Sequence, residues 1–213
     1  MATPRSVVQR SEFSRRLLEG FGDDLPERSI DAMYAHYLEL AHWGDLVSLV
    51  ADSTWPDAIE RHFVESLHGL SLLPADDGLQ VVDVGSGGGF PGLPLLAARP
   101  GLDLTLVESK QKKWAFLRAA ARRAALPCHC LNARVGRALP RGFPDAFGAV
   151  LVRAVRLQAA EWSALFQGAD RERVAIVWAG REDPELPQSL AIVHEKRISG
   201  SLGRRIVTIR NNK

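Results

Sequence analysis

From Leu79 onward, apolar runs alternate with stretches of helical period. The alternation predicts strands over 79–84, 102–107, 128–132, 147–152 and 173–178, with helices over 91–98, 110–125 and 156–167 between them. Val81-Val82-Asp83-Val84 is β-branched without apolar–polar alternation, as in a parallel strand buried on both faces. Residues 190–198 and 204–210 do alternate, around Ser199-Gly200-Ser201-Leu202-Gly203, the pattern of an antiparallel hairpin. The expected fold class is therefore α/β, a Rossmann-like, mostly parallel seven-stranded sheet with a C-terminal antiparallel hairpin and ligands at the strands' carboxyl ends. The first third reads as helices. Phe13, Leu17 and Leu18 form a short stripe within residues 1–20, and Pro26 opens a second helix through Ile30, Met33, Tyr34, Tyr37, Leu38 and Ala41 that ends near Gly44. Thr54-Trp55-Pro56-Asp57 looks like the cap and first turn of a third, carrying Ile59, Phe63, Leu67 and Leu70. Pro74-Ala75-Asp76-Asp77-Gly78 is the clearest break, predicting a helical extension over 1–77 packed on a core domain over 78–213.

The chain has 213 residues, 46% hydrophobic and 24% charged, enough for one well-buried core with an appendage. It has no apolar stretch of membrane-spanning length, and Met1-Ala2-Thr3-Pro4-Arg5 lacks the apolar region of a signal peptide, so a cytoplasmic location with no membrane partner is expected. Cys128 and Cys130 flank His129 in a strand, where alternation sends both thiols to one face. A metal needs more ligands than this pair, so reduced, buried cysteines are expected.

A formal net charge of +2 implies no nucleic acid by itself, but the charge is unevenly spread. Lys110, Lys112, Lys113, Arg118, Arg122, Arg123, Arg134, Arg137 and Arg141 follow one another with no Asp or Glu between them. On the helix 110–125, Trp114, Leu117, Ala121 and Ala124 form the inward stripe, leaving the cations outward. Such a face is either solvated or set against RNA phosphates. Its position beside the ligand-bearing strand ends favours RNA.

The densest chemistry lies in Val84-Gly85-Ser86-Gly87-Gly88-Gly89-Phe90-Pro91-Gly92, where the first strand breaks into glycines and a helix starts. A dinucleotide fingerprint fits Gly87-x-Gly89-x-x-Gly92, but it starts late and leaves Asp83 and Gly85 without a role. The register Asp83-x-Gly85-x-Gly87-x-Gly89 puts a carboxylate at the strand's end, which suits a cationic ligand such as S-adenosylmethionine and would repel a pyrophosphate. Glu108, about 20 residues on at the end of the next strand, is placed to accept hydrogen bonds from ribose hydroxyls in either register.

Asp83 through Pro94, with the tail Phe90-Pro91-Gly92-Leu93-Pro94, resembles the glycine motif of the GidB/RsmG family, whose members methylate guanine N7 in small-subunit (16S) ribosomal RNA. Arg61-His62-Phe63-Val64-Glu65-Ser66-Leu67 is similar to the family's Arg-His-x-x-Asp-Ser-Leu segment. Arg153-Ala154 resembles the end of its Ser-Arg-Ala, and Asn132-Ala133-Arg134-Val135-Gly136 its Arg-Val-Glu segment beside the adenine. The resemblance, over roughly residues 30–210, implies a class I methyltransferase with S-adenosylmethionine as cofactor and Gly85, Gly87, Phe90, Glu108, Val135, Gly136 and Arg153 as cofactor-binding residues. It implies small-subunit ribosomal RNA, or the small subunit itself, as partner of a monomer. His62, Arg122 and Arg123 are the candidate RNA contacts, although His62 reads equally as a satisfied surface histidine. The chain departs from the family at Asp45-Leu46-Val47, at Gly136 and at Trp178-Ala179-Gly180.

Guanine N7 carries a free lone pair, so its methylation requires no general base, only positioning. The Asn/Asp-Pro-Pro-Tyr/Phe segment common among amine methyltransferases is absent, Val152-Arg153-Ala154-Val155 standing in its place. Three rivals remain: a same-fold methyltransferase with another RNA substrate, a ribosome-associated binding protein without activity, and a nicotinamide oxidoreductase.

Overall fold

The computed structural model describes residues 6–22, 24–44, 46–51, 55, 57–169, 172–198 and 203–212. The strands are β1 Gln80–Val84, β2 Asp103–Val107, β3 His129–Leu131, β4 Ala149–Arg153, β5 Val174–Ala179, β6 Leu190–Arg197 and β7 Arg205–Asn211. They form one seven-stranded sheet in the order β3-β2-β1-β4-β5-β7-β6. The first five are parallel, and β7 runs antiparallel to both β5 and β6. The winding reverses between β1 and β4, where Val84 lies opposite Val152, and a crevice opens there beyond the strand ends.

Both faces of the sheet are covered, which explains the unbroken apolar runs. Val81 of β1 joins the layer built from α1 Arg10–Phe21, α2 Glu27–Trp43, a π-helical segment Ile59–Val64, the single turn α3 Glu65–Leu67, α4 Gly92–Ala98 and α5 Gln111–Arg123. Val82 and Val84 join the opposite layer, where α6 Ala159–Phe166 and the irregular stretch holding Val135, Phe143 and Phe147 close the core. The N-terminal helices thus share one apolar cluster with the sheet.

The strand and helix pattern holds to within a few residues, and four expectations change in detail. The buried face of α2 is turned: Ile30, Met33 and Tyr37 lie inside as expected, but His36 and Leu40 join them while Leu38 and Ala41 are half-buried. On α5, Phe116 and Ala120 take the central inward places with Leu117 and Ala121, and Trp114 is half-buried at the edge with its indole N–H donated to the Cys130 carbonyl. The third helix is broken into a π-helical segment, an α-turn and a 3-10 turn Leu70–Leu72. Cys128 and Cys130 are free but half-buried rather than buried, because β3 is a short edge strand. The expected cap at Thr54 and Pro56, the departure at Asp45 and the hairpin turn at Ser199-Gly200-Ser201-Leu202 lie outside the described residues.

Phe63 is the joint between these helices and the crevice. Its ring is fully buried and meets Phe13 edge-on at 5.3 Å, Phe90 edge-on at 5.0 Å and His36 at 5.3 Å. Phe63→Ala is expected to destabilise the protein by about 3–5 kcal/mol in urea unfolding. A loss under about 1 kcal/mol, the size of an ordinary surface effect, would show that the N-terminal helices are not docked as described.

Candidate active site

The glycine turn is fastened from three sides. Gly85 and Ser86 donate their amide N–H groups to the Val107 carbonyl at 2.8 and 3.2 Å, tying the turn to the end of β2. Ser86 Oγ donates to the Asp83 carbonyl at 2.8 Å, and the Ser86 carbonyl accepts from Gly89 and Phe90. From below, His36 Nε2 donates to the Gly88 carbonyl at 2.8 Å. Burial lowers the pKa of His36 to about 4, so it is a neutral donor at physiological pH. Phe90 lies between two imidazoles, His36 at 4.9 Å and His62 at 5.1 Å.

Above the turn is a cavity of about 560 Å³ at the carboxyl ends of β1, β2 and β4. Among the expected site residues, Gly85, Gly87, Phe90, Glu108, Val135, Arg153 and His62 all line it. Gly136 does not; the preceding Val135, 3% exposed, supplies the wall there. Arg122 and Arg123 lie away from it on the exposed side of α5, and Arg123 meets Glu39 at 3.4 Å. The cations at the cavity are Lys110, Lys113, Arg134, Arg153 and Arg156.

One expectation needs correcting. Asp83 does not face the ligand space. It is fully buried beneath the turn, its Oδ2 accepts the Gly92 amide N–H at 3.0 Å, and its Oδ1 has no partner among the described residues. Gly85 lines the cavity, and its own geometry also demands glycine: its φ is +75°, and an added Cβ would come within 2.3 Å of Val155 Cγ2.

Arg153 is also used differently than its place beside the cavity implied. Its guanidinium donates to the carbonyls of Arg61 and His62, to Ser66 Oγ at 3.2 Å and to Glu65 Oε2 at 2.9 Å. The carbonyls are those of the π-helical segment, so Arg153 fastens that segment across the strand ends. Glu65 Oε1 meets Arg204, and the Glu65 carbonyl accepts the Trp178 indole N–H at 2.7 Å. Burial lowers the Arg153 pKa to about 10, with Glu65 opposing the shift, so the guanidinium remains charged at neutral pH. Burial, then the charges of Arg153, Arg61 and Arg204, push His62 down to about 3. Its ring is therefore neutral.

The donor set decides what fits. A pyrophosphate needs free amide N–H groups at the turn and the helix start. Here Gly87 N–H is donated to Glu108 Oε2 at 3.0 Å, and the amide of Gly92, where α4 begins, is held by Asp83. A dinucleotide would meet carboxylates where it needs donors. Glu108 Oε1 accepts from the Lys110 amide at 2.7 Å, and each of its oxygens keeps a further lone pair for a ribose hydroxyl. At Gly87, with φ +53°, an added Cβ would meet only the Gly85 carbonyl oxygen, at an ordinary 3.7 Å. The cavity fits a nucleoside without a pyrophosphate.

The family model GidB, described as rRNA small subunit methyltransferase G, matches residues 29–171. The chain belongs to the GidB family. It is a methyltransferase that uses S-adenosylmethionine, in keeping with the donor set. Ribosomal RNA small subunit methyltransferase G of Coxiella burnetii is 30% identical over 198 residues, covering 92% of this chain and 96% of that protein. The protein of the same name from Rhodopseudomonas palustris is 41% identical over 133 residues, 61% of this chain, and this and several other matches span only about half of the relative's length. Among solved structures, a variant of MtNAS in complex with S-adenosylmethionine matches with a TM-score of 0.60 at 14% identity, over 96% of this chain and 78% of that one. TrmN from Thermus thermophilus matches at 0.56 and 21% identity, over 70% of this chain and 48% of that one. At these identities the structural likeness establishes the class I methyltransferase fold.

Asp83 gives the GidB fold a measurable pH signature. Desolvation pushes its carboxyl from the ordinary 3.8 up to about 7, against the pull of the Gly92 amide, Ser86 and Arg153. With the folded value raised, its contribution to stability is complete below about 3.8 and is lost as the pH rises through about 7. Asp83→Asn keeps an acceptor for Gly92 without the charge. In urea unfolding without cofactor, the variant's stability relative to wild type is expected to rise between pH 5 and pH 8. A constant difference across that window would show that Asp83 titrates as an ordinary carboxylate.

Proposed function

We propose that this chain methylates N7 of a guanosine in small-subunit ribosomal RNA, acting as a cytoplasmic monomer on the RNA or the small subunit. The observation that carries the choice of N7 is the lack of a usable base at the cavity among the described residues. His62, with its pKa near 3, is too weak a base to take a proton at neutral pH. Glu108 is held by the Gly87 and Lys110 amides, and Glu161 by the Gln158 amide at 2.8 Å in the capping box of α6. An exocyclic amine loses a proton when methylated. N7 does not, since its lone pair forms the new bond, the former methyl–sulfur pair stays with sulfur, and the purine gains the positive charge.

S-Adenosylmethionine supplies the electrophilic methyl group. The chain's own residues bind and align. Glu108 would hold the ribose, Gly85, Gly87 and Phe90 shape the floor, and Val135 with the neighbouring Gly136 forms the adenine side. Arg153 acts as a positioning residue, fixing the π-helical segment so that the neutral His62 ring closes the cavity over Phe90. Lys110, Lys113 and Arg134 continue the cavity mouth into the exposed cations of α5, including Arg122 and Arg123, a surface suited to RNA phosphates. No helix among the described residues is long and apolar enough to cross a membrane. We also treat residues 1–77 as an extension of the methyltransferase core over 78–213, a division that the shared apolar cluster makes one of sequence rather than of packing.

Glu108→Ala is expected to weaken S-adenosylmethionine binding by about 1.5–3 kcal/mol in calorimetry, the usual cost of removing a charged acceptor; wild-type affinity would remove Glu108 from the site. Small ribosomal subunits lacking the modification, incubated with enzyme and S-adenosylmethionine, should yield RNA that breaks at one guanosine after reduction and aniline treatment, as N7-methylguanosine does. Recovery of an exocyclic N-methyl or a ribose methyl would sink the N7 reading and leave the fold and cofactor intact.

A further inference from the structure

Beneath the glycine turn, His36 of α2 is 1% exposed in an aromatic cluster, with Phe90 at 4.9 Å, Phe63 at 5.3 Å and Phe116 at 6.1 Å. Such surroundings suit an apolar ring. The Gly88 carbonyl can only accept, so the single proton of the neutral imidazole sits on Nε2, and Nδ1 is left a bare acceptor with no partner among the described residues. A buried polar atom without a partner is costly. A phenylalanine ring would escape that cost, so what histidine contributes here is its one hydrogen bond to Gly88. That bond meets the turn where the backbone has least support. Gly87 and Gly88 take part in no backbone–backbone hydrogen bond among the described residues, whereas Gly85, Ser86, Gly89 and Phe90 all do. Each depends instead on one side chain: the Gly87 amide is donated to Glu108 Oε2 at 3.0 Å, and the Gly88 carbonyl is held by His36. Both glycines line the cavity, and the imidazole lies so close beneath that a Cβ added at Gly89 would stand 3.0 Å from Nε2.

We propose that His36 is a positioning residue for the methyl donor: through Gly88 it fixes the adjoining Gly87 amide, and through that amide the aim of Glu108 at the ribose. This rests on Glu108 as the ribose holder and is independent of the choice of N7. Glu108 is gripped at both carboxylate oxygens, Oε2 by the Gly87 amide and Oε1 by the Lys110 amide at 2.7 Å. A shift of either amide turns the carboxylate. Lys110 is anchored at the start of α5, its carbonyl accepting the Trp114 amide at 2.9 Å, so Gly87 is the side that needs a stop. His36 supplies it. The ring does not line the cavity, so it reaches the cofactor only through the backbone above it.

The test compares two substitutions in the full-length protein by calorimetry with S-adenosylmethionine. His36→Phe keeps the aromatic packing and removes the donor, whereas His36→Gln gives up the ring and offers a side-chain N–H at a similar reach. A histidine that only filled the core would make Phe the better replacement. Positioning through Gly88 reverses the order: Gln is expected to bind within about threefold of wild type, and Phe about tenfold or more weakly. In a Glu108→Ala background, His36→Phe is expected to change the affinity by less than about threefold, because the group it aims is gone. Urea unfolding checks that each variant is folded, and if Gln is not, the cycle between His36→Phe and Glu108→Ala decides. Phe binding as tightly as Gln or as wild type, or a loss in His36→Phe that persists undiminished without Glu108, would overturn the proposal. Glu108→Ala at wild-type affinity would instead remove the ribose reading on which the proposal rests, and a wild type that does not bind S-adenosylmethionine would reject the cofactor site itself.

Discussion

A carboxyl sealed from water at the end of β1 holds the site in shape. Asp83 accepts the first amide of α4, and the Ser86 hydroxyl returns to the Asp83 carbonyl, so strand, turn and helix meet at one residue. An unoccupied helix start would attract an anion. With its own carboxyl there, the protein closes that option, and Glu108 does the same at the Gly87 amide. The chemical identity of the ligand thus follows from which donors the protein has already used. Glycines alone do not decide it.

The opposite side of the cavity depends on charge carried across the whole fold. Arg153, at the last position of β4, reaches into the π-helical segment and turns an otherwise loose piece of helix into a wall. π-Helical turns leave carbonyls poorly satisfied and occur often at functional sites. Here the arginine is their partner, and Glu65 between Arg153 and Arg204 balances its charge. A buried ion pair of this kind adds little net stability but fixes one arrangement over its alternatives.

Local patterns carried most of the fold in the amino-acid sequence. Unbroken apolar runs, the alternation at 190–198 and 204–210, the glycine turn and the spacing to Glu108 depend on neighbours in the chain, and the strands and the C-terminal hairpin follow from them. What escaped depends on distant residues. His36 supports the turn from 52 positions upstream of Gly88, and nothing in the helical stripe of α2 marked it as other than polar. Arg153 meets Glu65 across 88 positions, so its location at a strand end suggested a cavity role without revealing that its donors were taken. A carboxylate at the strand's end suits a cationic ligand by charge, yet Asp83 turns beneath the glycine loop to the Gly92 amide. The side-chain direction that buries it is set by α4, which a linear pattern does not show.

The contact between Arg204 and Glu65 joins the last hairpin of the chain to its first third. β7 enters the sheet between β5 and β6, so that hairpin is also needed to complete the sheet. During synthesis, when the N-terminal part emerges first, Glu65 gains the second of its two guanidinium partners only after the segment that carries β7 has been made. The wall over the cavity is therefore completed later than the helices that form it.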